Sequence, residues 1–348
     1  MARTRPLSRI GYRRLPERLR LPALCGLAAA LGGLVSFPAA AQQSPIETAI
    51  EAPGPLGPLG GTLAEAEVAA GAKAPVVLII PGSGPTDRNG DSPLGVRGGI
   101  YRQLARGLAA QGIASVRIDK RGMFGSARAI PDANAVTIAD YAGDVRTWID
   151  TIRKRTGAPC VWVLGHSEGG LVALAAAQGA TDICGLLLVA TAGRPMGAVL
   201  RVQLRANPAN APLLPSGLAA IDSLEAGKKV DTAALHPALG ALFDPRVQPY
   251  LINAFRYDPV RLVAAVKVPV LILQGKNDLQ VGIEDAALLK NAQPAAKLVT
   301  LPGVNHVLKP VPSDGRGANA ATYADPGIGI DPVVTDTIAA FVLAGASR

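Results

Sequence analysis

From Pro75 onward the chain alternates two kinds of apolar pattern. Short continuous apolar runs at Val76 to Ile80, Ala114 to Ile118, Val161 to Leu164, Gly185 to Ala190, Val268 to Gln274 and Lys297 to Leu301 read as strands, the unbroken ones buried on both faces. Longer stretches between them are predicted to be helical, at Ile100 to Gln111, Ile138 to Arg155, the alanine-rich Gly169 to Gln178, and Pro332 to Leu343. Strand following helix in this way predicts an α/β protein with a mostly parallel, doubly wound sheet and helices on both faces.

The alternation fails in two places. Residues 42–74, rich in Pro, Gly and Ala, read as a linker whose Gly60-Gly61-Thr62-Leu63 stretch can form a hairpin. Residues 194–266 read as short helices broken by Pro208, Pro212, Pro215, Pro237 and Pro245, which predicts a helical cap inserted between core segments 75–193 and 267–348. An insertion after a strand, at the carboxyl edge of such a sheet, lies over the crevice where ligands bind.

The first residues obey another logic. Seven arginines, from Arg3 to Arg20, precede an uncharged stretch from Leu21 to Ala41 that closes on Ala39 and Ala41 in an A-x-A arrangement. This predicts a signal peptide over residues 1–41, cleaved before Gln42, and an exported protein, periplasmic or secreted. Gly26, Gly32, Gly33 and Pro38 argue against a lasting anchor, so no stable membrane span is expected after cleavage. The leader's seven Arg and single Glu17 account for +6 of the formal charge of +9, leaving +3 on the mature chain. The basic balance is thus mostly an export signal, and with aromatics at 4% nucleic-acid binding has little support.

Cys160 and Cys184 remain after cleavage, each at the start of an apolar run. If those runs are neighbouring parallel strands the two stand side by side. In an oxidising compartment they are a candidate disulfide, with a pair of buried free thiols as the alternative.

The sharpest chemical signal is Gly165-His166-Ser167-Glu168-Gly169-Gly170, which fits G-x-S-x-G between a predicted strand and a predicted helix. A nucleophile on so sharp a turn needs small flanking residues, here Gly165 and Gly169. A serine hydroxyl also needs a base and a group to orient that base. Of three histidines, His166 adjoins the serine in a turn expected to direct its ring elsewhere, and His236 lies in the insertion. His306, just after the last predicted strand, is the candidate base. Asp278, just after the penultimate one, is the candidate acid, with Glu284 and Asp285 in reserve. The order Ser167, Asp278, His306 is that of a nucleophile elbow rather than of the chymotrypsin or subtilisin arrangements. An oxyanion hole would use the backbone N–H of Glu168 and one from Pro81-Gly82-Ser83-Gly84-Pro85, where Ser83 is the first choice and Gly82 the neighbour. Asp87, Arg88, Asn89 and Asp91 gather oxygen donors, but their spacing does not match a calcium loop, and a polar turn explains them more simply. No metal site, phosphate loop or dinucleotide fingerprint is found, and the chemistry needs no cofactor.

From Pro75 to Leu343 the chain resembles bacterial α/β hydrolases of the serine-aminopeptidase-like and esterase group. The resemblance rests on Pro81 to Asp91, Asp119 to Ser126 (DKRGMFGS), the elbow, Gly275 to Asp278 and Asn305-His306. It implies the α/β-hydrolase fold, an oxyanion role for Ser83, and a bracing role for Asp119 to Ser126 behind the second core strand. Pro81, where many relatives have histidine, and Phe124, which lengthens one glycine spacing, depart from the pattern. The function expected is hydrolysis of a small-molecule carboxylic ester through an acyl-enzyme on Ser167. A peptidase, amidase or thioesterase on the same residues is the alternative, and a non-catalytic binding protein on this fold is the alternative from another class.

Overall fold

The computed structural model describes residues 45–66, 68, 73–311 and 315–346. The leader expected over 1–41 lies outside them. Eight strands form one sheet in the order β1-β2-β4-β3-β5-β6-β7-β8. The strands are β1 Glu47–Ala52, β2 Leu59–Ala64, β3 Val76–Ile80, β4 Ala114–Ile118, β5 Val161–His166, β6 Ile183–Val189, β7 Val270–Gly275 and β8 Lys297–Leu301. From β4 to β8 every pairing is parallel, while β1 with β2 and β2 with β4 are antiparallel. Every residue of β3, β4, β5 and β7 is buried, Ser115 and Arg117 of β4 included, as strands covered on both faces require.

Helices α1 Ile100–Ala109 and α10 Pro332–Ala346 cover one face, packing Tyr101, Leu104, Ile338 and Val342 against Val77, Ile79 and Leu164. Helices α2 Ile138–Thr156 and α3 Glu168–Ala176 cover the other, with Trp148 fully buried beneath β2 and β4. The remaining helices are α4 Met196–Ala206, α5 Leu214–Glu225, α6 Gln248–Ala254, α7 Pro259–Ala265, α8 Ile283–Ala292 and α9 Arg316–Ala324. The Thr137 hydroxyl accepts from the N–H of Asp140, and the Asp140 carboxylate accepts from the N–H of Thr137, a reciprocal cap that starts α2.

One difference from the sequence expectation matters. The stretch read as linker with a local hairpin supplies two sheet strands, because Gly61 to Ala64 of β2 pair with Ser115 to Ile118 of β4. Residues 194–266 contain the short helices α4 to α7, and part of them gathers round Leu204, Ile221, Leu224, Phe243 and Leu251, an apolar cluster separate from those on the sheet.

Sulfurs of Cys160 and Cys184 are bonded, across neighbouring strands whose Cα atoms here are 5.2 Å apart. The bridge lies at the amino ends of β5 and β6, the edge opposite Ser167. Among the described residues no helix is long and apolar enough to cross a membrane.

Candidate active site

Strand order reverses between β3 and β5: the chain runs outward from β3 to β4 and then returns to lay β5 on the other side of β3. The loops leaving those two strands therefore diverge and open a crevice at the carboxyl edge. Gly82 and Ser83 leave β3 at this point and Ser167 leaves β5.

Ser167 occupies φ 55°, ψ −121°, a backbone region that L residues avoid. Its N–H donates to Val189 O of β6 at 2.9 Å and its carbonyl accepts from Gly170 N–H at 2.9 Å, which pins the turn from both ends. The surrounding glycines are steric necessities. A Cβ on Gly165 would lie 2.2 Å from Gly169 O, one on Gly169 2.5 Å from Ile80 O, and one on Gly170 2.1 Å from Thr191 Oγ1. Gly82 is tight as well, since its Cβ would sit 3.3 Å from Ser167 Cβ.

Asp278 and His306 meet. His306 Nδ1 lies 2.7 Å from Asp278 Oδ2, with both side chains buried. A carboxylate only accepts, so Nδ1 carries a proton, and the neutral form of the ring has its lone pair at Nε2. Asp278 also accepts from Gln274 Nε2 at 3.1 Å and from the N–H groups of Gln280 and Val281 at 2.7 and 2.9 Å. Burial alone would raise its pKa, but the His306 charge and these hydrogen bonds outweigh burial and hold it below the usual carboxylate value. Asp285, a reserve candidate, is committed elsewhere, to Arg194 and to the N–H groups of Gly193 and Arg194. Its companion Glu284 sits in the first turn of α8.

The His306 loop reaches Ser167 through His166. His166 Nε2 is 2.8 Å from the carbonyl of His306, and the two rings are 5.0 Å apart between centroids. His166 Nδ1 is 2.8 Å from the Tyr101 hydroxyl, which in turn accepts from Gly82 N–H at 3.1 Å. A carbonyl cannot donate, so Nε2 bears the His166 proton and Tyr101 donates to Nδ1. Burial first, and then the neighbouring His306, depress the His166 pKa to about 3, so the ring is neutral. Nothing in the sequence spacing of His166 or Tyr101 marks this relay, which the fold alone creates. Among the described contacts Ser167 Oγ makes no hydrogen bond to His306, a contact that often tightens only when substrate is bound.

The loop carrying His306 is tied down from behind. Asn305 Nδ2 donates to Thr322 Oγ1 at 2.7 Å and to Asn319 Oδ1 at 3.2 Å, and Asn319 Nδ2 donates to the carbonyl of Asn277 at 2.6 Å. Helix α9 thus holds the loops of Asp278 and His306 together. Lys309, wholly buried, donates to the carbonyls of Arg97, Thr322 and Asp325.

The DKRGMFGS segment lies behind the β3 loop. Asp119 accepts from Arg88 N–H, Nε and Nη2 and from Gly125 N–H, while Ser126 Oγ donates to Asp119 O and accepts from Gly60 N–H. Phe124 takes φ 46°, so the extra residue in this glycine spacing is absorbed by a left-handed turn. The oxygens of Asp87 and Asp91 accept from backbone N–H groups of Asn89, Asp91 and Gly99, which makes them turn braces.

The family model described as serine aminopeptidase, S33, matches residues 94–309. No curated protein matches the chain. Among solved structures, Est1E from Butyrivibrio proteoclasticus superposes with a TM-score of 0.53 at 19% identity, covering 86% of this chain and 99% of its own. A puromycin hydrolase gives 0.55 at 15% identity, over 87% of this chain and 40% of its own. An acylaminoacyl peptidase from Pyrococcus horikoshii gives 0.51 at 13%, over 76% and 38%. At these identities the structures establish the fold alone, whereas the family model spans well over half of the chain. The protein is an α/β hydrolase and belongs to the serine aminopeptidase, S33, family of serine hydrolases.

Proposed function

We propose that the protein hydrolyses carboxylic esters of small molecules through an acyl-enzyme on Ser167. Ser167 Oγ attacks the carbonyl carbon and gives its proton to His306 Nε2, while the carbonyl electron pair moves onto the oxygen. The N–H groups of Ser83 and Glu168 stabilise that oxyanion. Collapse of the intermediate expels the alcohol, which takes the proton from His306. Water, deprotonated by the same histidine, then releases the acid and restores Ser167. Asp278 keeps the imidazole in the tautomer that can accept.

The observation that carries this reading is the meeting of three strand ends. The Asp278–His306 pair, at 2.7 Å, is tied through the carbonyl of His306 to the residue preceding a serine on a strained strand-to-helix turn. Two features support the choice of oxyanion donors. Gly82 N–H is engaged by Tyr101, which leaves Ser83 as the donor from that loop. Glu168 N–H opens α3, where no helical carbonyl precedes it. The cap at 194–266 is assigned to substrate access. Export after removal of a leader over 1–41 is part of the proposal, and the Cys160–Cys184 bridge supports an oxidising compartment.

An aminopeptidase or amidase activity is the second reading, favoured by the family description. A panel of p-nitrophenyl esters of rising acyl length, run beside aminoacyl p-nitroanilides, separates the two. Short esters are expected to turn over and anilides scarcely at all, and the opposite ranking would replace the esterase reading with the peptidase one.

A further inference from the structure

Both backbone polar groups of Gly82 are held by buried side chains that belong to neither the serine, the histidine nor the acid. Lys120, at the end of β4, donates from Nζ to Gly82 O at 2.7 Å, and Tyr101, on α1, accepts from Gly82 N–H at 3.1 Å. Lys120 Nζ also contacts Glu168 Oε1 at 3.3 Å, the two side chains being only 4% and 5% exposed. The Tyr141 ring lies beneath the ammonium, 5.5 Å from Nζ to the centroid.

Peptide geometry gives these contacts a consequence. In a planar trans peptide the carbonyl and the following N–H point in opposite directions. Holding Gly82 O therefore fixes the direction of the Ser83 N–H, the donor assigned above to the oxyanion. The same lysine pairs with the side chain of Glu168, whose backbone N–H is the second donor. One ammonium thus touches the framework of both donors. A buried ion pair contributes little net stability once desolvation is counted, so its effect is better sought in geometry.

We infer that Lys120 is a positioning residue of the oxyanion hole, setting the direction of the Ser83 N–H through Gly82 O and the placement of the Glu168 N–H through its carboxylate, with Tyr101 as the second clamp. This rests on the Ser167 reading above. Preorganised donors act by their alignment, and a misplaced donor loses part of what a deleted one loses.

The test uses p-nitrophenyl acetate turnover and thermal unfolding of the wild type, Ser167→Ala, Lys120→Met, Lys120→Met/Glu168→Gln and Tyr101→Phe. Lys120→Met leaves Glu168 buried without a counter-charge and is expected to lose both stability and kcat. The double variant removes the charge imbalance but not the need for a donor to Gly82 O. It is expected to regain most of the wild-type Tm while kcat stays about 10- to 100-fold low and KM changes by less than about 3-fold. Tyr101→Phe, a smaller change, should lower kcat several-fold with KM held. If kcat of the double variant recovers along with its Tm, Lys120 merely balances charge and the inference is wrong. A wild-type kcat in Lys120→Met overturns it equally. Full activity in Ser167→Ala would instead remove the Ser167 reading, and this inference with it.

Discussion

At Ser167 the backbone carries a cost that the side chain alone explains. A residue with a Cβ at φ 55° is strained by about 1–3 kcal/mol, and glycine is not. Both Ser167→Ala and Ser167→Gly are expected to be inactive, but the glycine variant should unfold with about 1 kcal/mol more stability than the alanine one. Equal melting of the two would mean the turn is not strained. His166 makes a second residue-scale prediction. In the folded protein it stays neutral down to about pH 3, whereas the unfolded chain protonates it near 6.5. Between those values the unfolded state binds more protons, so this contribution is complete above pH 6.5 and is lost as the pH falls, on the order of 1 kcal/mol per unit. Urea titrations at pH 7 and pH 5 should show the wild type losing about 1–2 kcal/mol more between them than His166→Asn. The same loss in both proteins would place the acid sensitivity elsewhere.

At the scale of elements, α9 decides how well the site is held. Its buried positions are Asn319 and Thr322, which bind the loops of His306 and Asp278 rather than filling a core. Asn319→Ala is expected to cost about 1–3 kcal/mol in stability and to lower kcat more than it raises KM. A variant with full kcat would show that the two loops hold each other unaided. This helix also marks the limit of what the chain's pattern reveals. The strands β3, β5 and β7 were legible because each is largely a continuous apolar run buried on both faces, and the helices α1 and α2 were found nearly to their ends. The stretch from Arg316 to Ala324 has no apolar period to read, since polar side chains do the packing. The edge strand β1 was missed for a related reason: only Ala52 of its six residues is buried, and its partner is a glycine-bearing strand. Ser167, Asp278 and His306 could be named because the fold prescribes strand ends for them, and the structure brings Asp278 and His306 into contact. The links from Tyr101 and Lys120 to Gly82 could not be read, because they join residues whose proximity only the folded sheet creates.

Across the whole molecule the sheet separates reinforcement from chemistry. The Cys160–Cys184 bridge closes a loop at the amino edge, while Ser83, Ser167, Asp278 and His306 stand at the carboxyl edge. Replacing both cysteines by alanine should therefore lower stability by about 3 kcal/mol and leave kcat for short esters unchanged. Loss of activity in a variant that is still folded would show that the two edges are coupled. The assignment of Ser167 as the nucleophile can be checked by treating the protein with a fluorophosphonate and locating the added mass by peptide mass spectrometry. A single phosphonyl adduct is expected on Ser167, absent from Ser167→Ala and formed far more slowly in His306→Ala. An adduct on another serine, or labelling undiminished in Ser167→Ala, would contradict it.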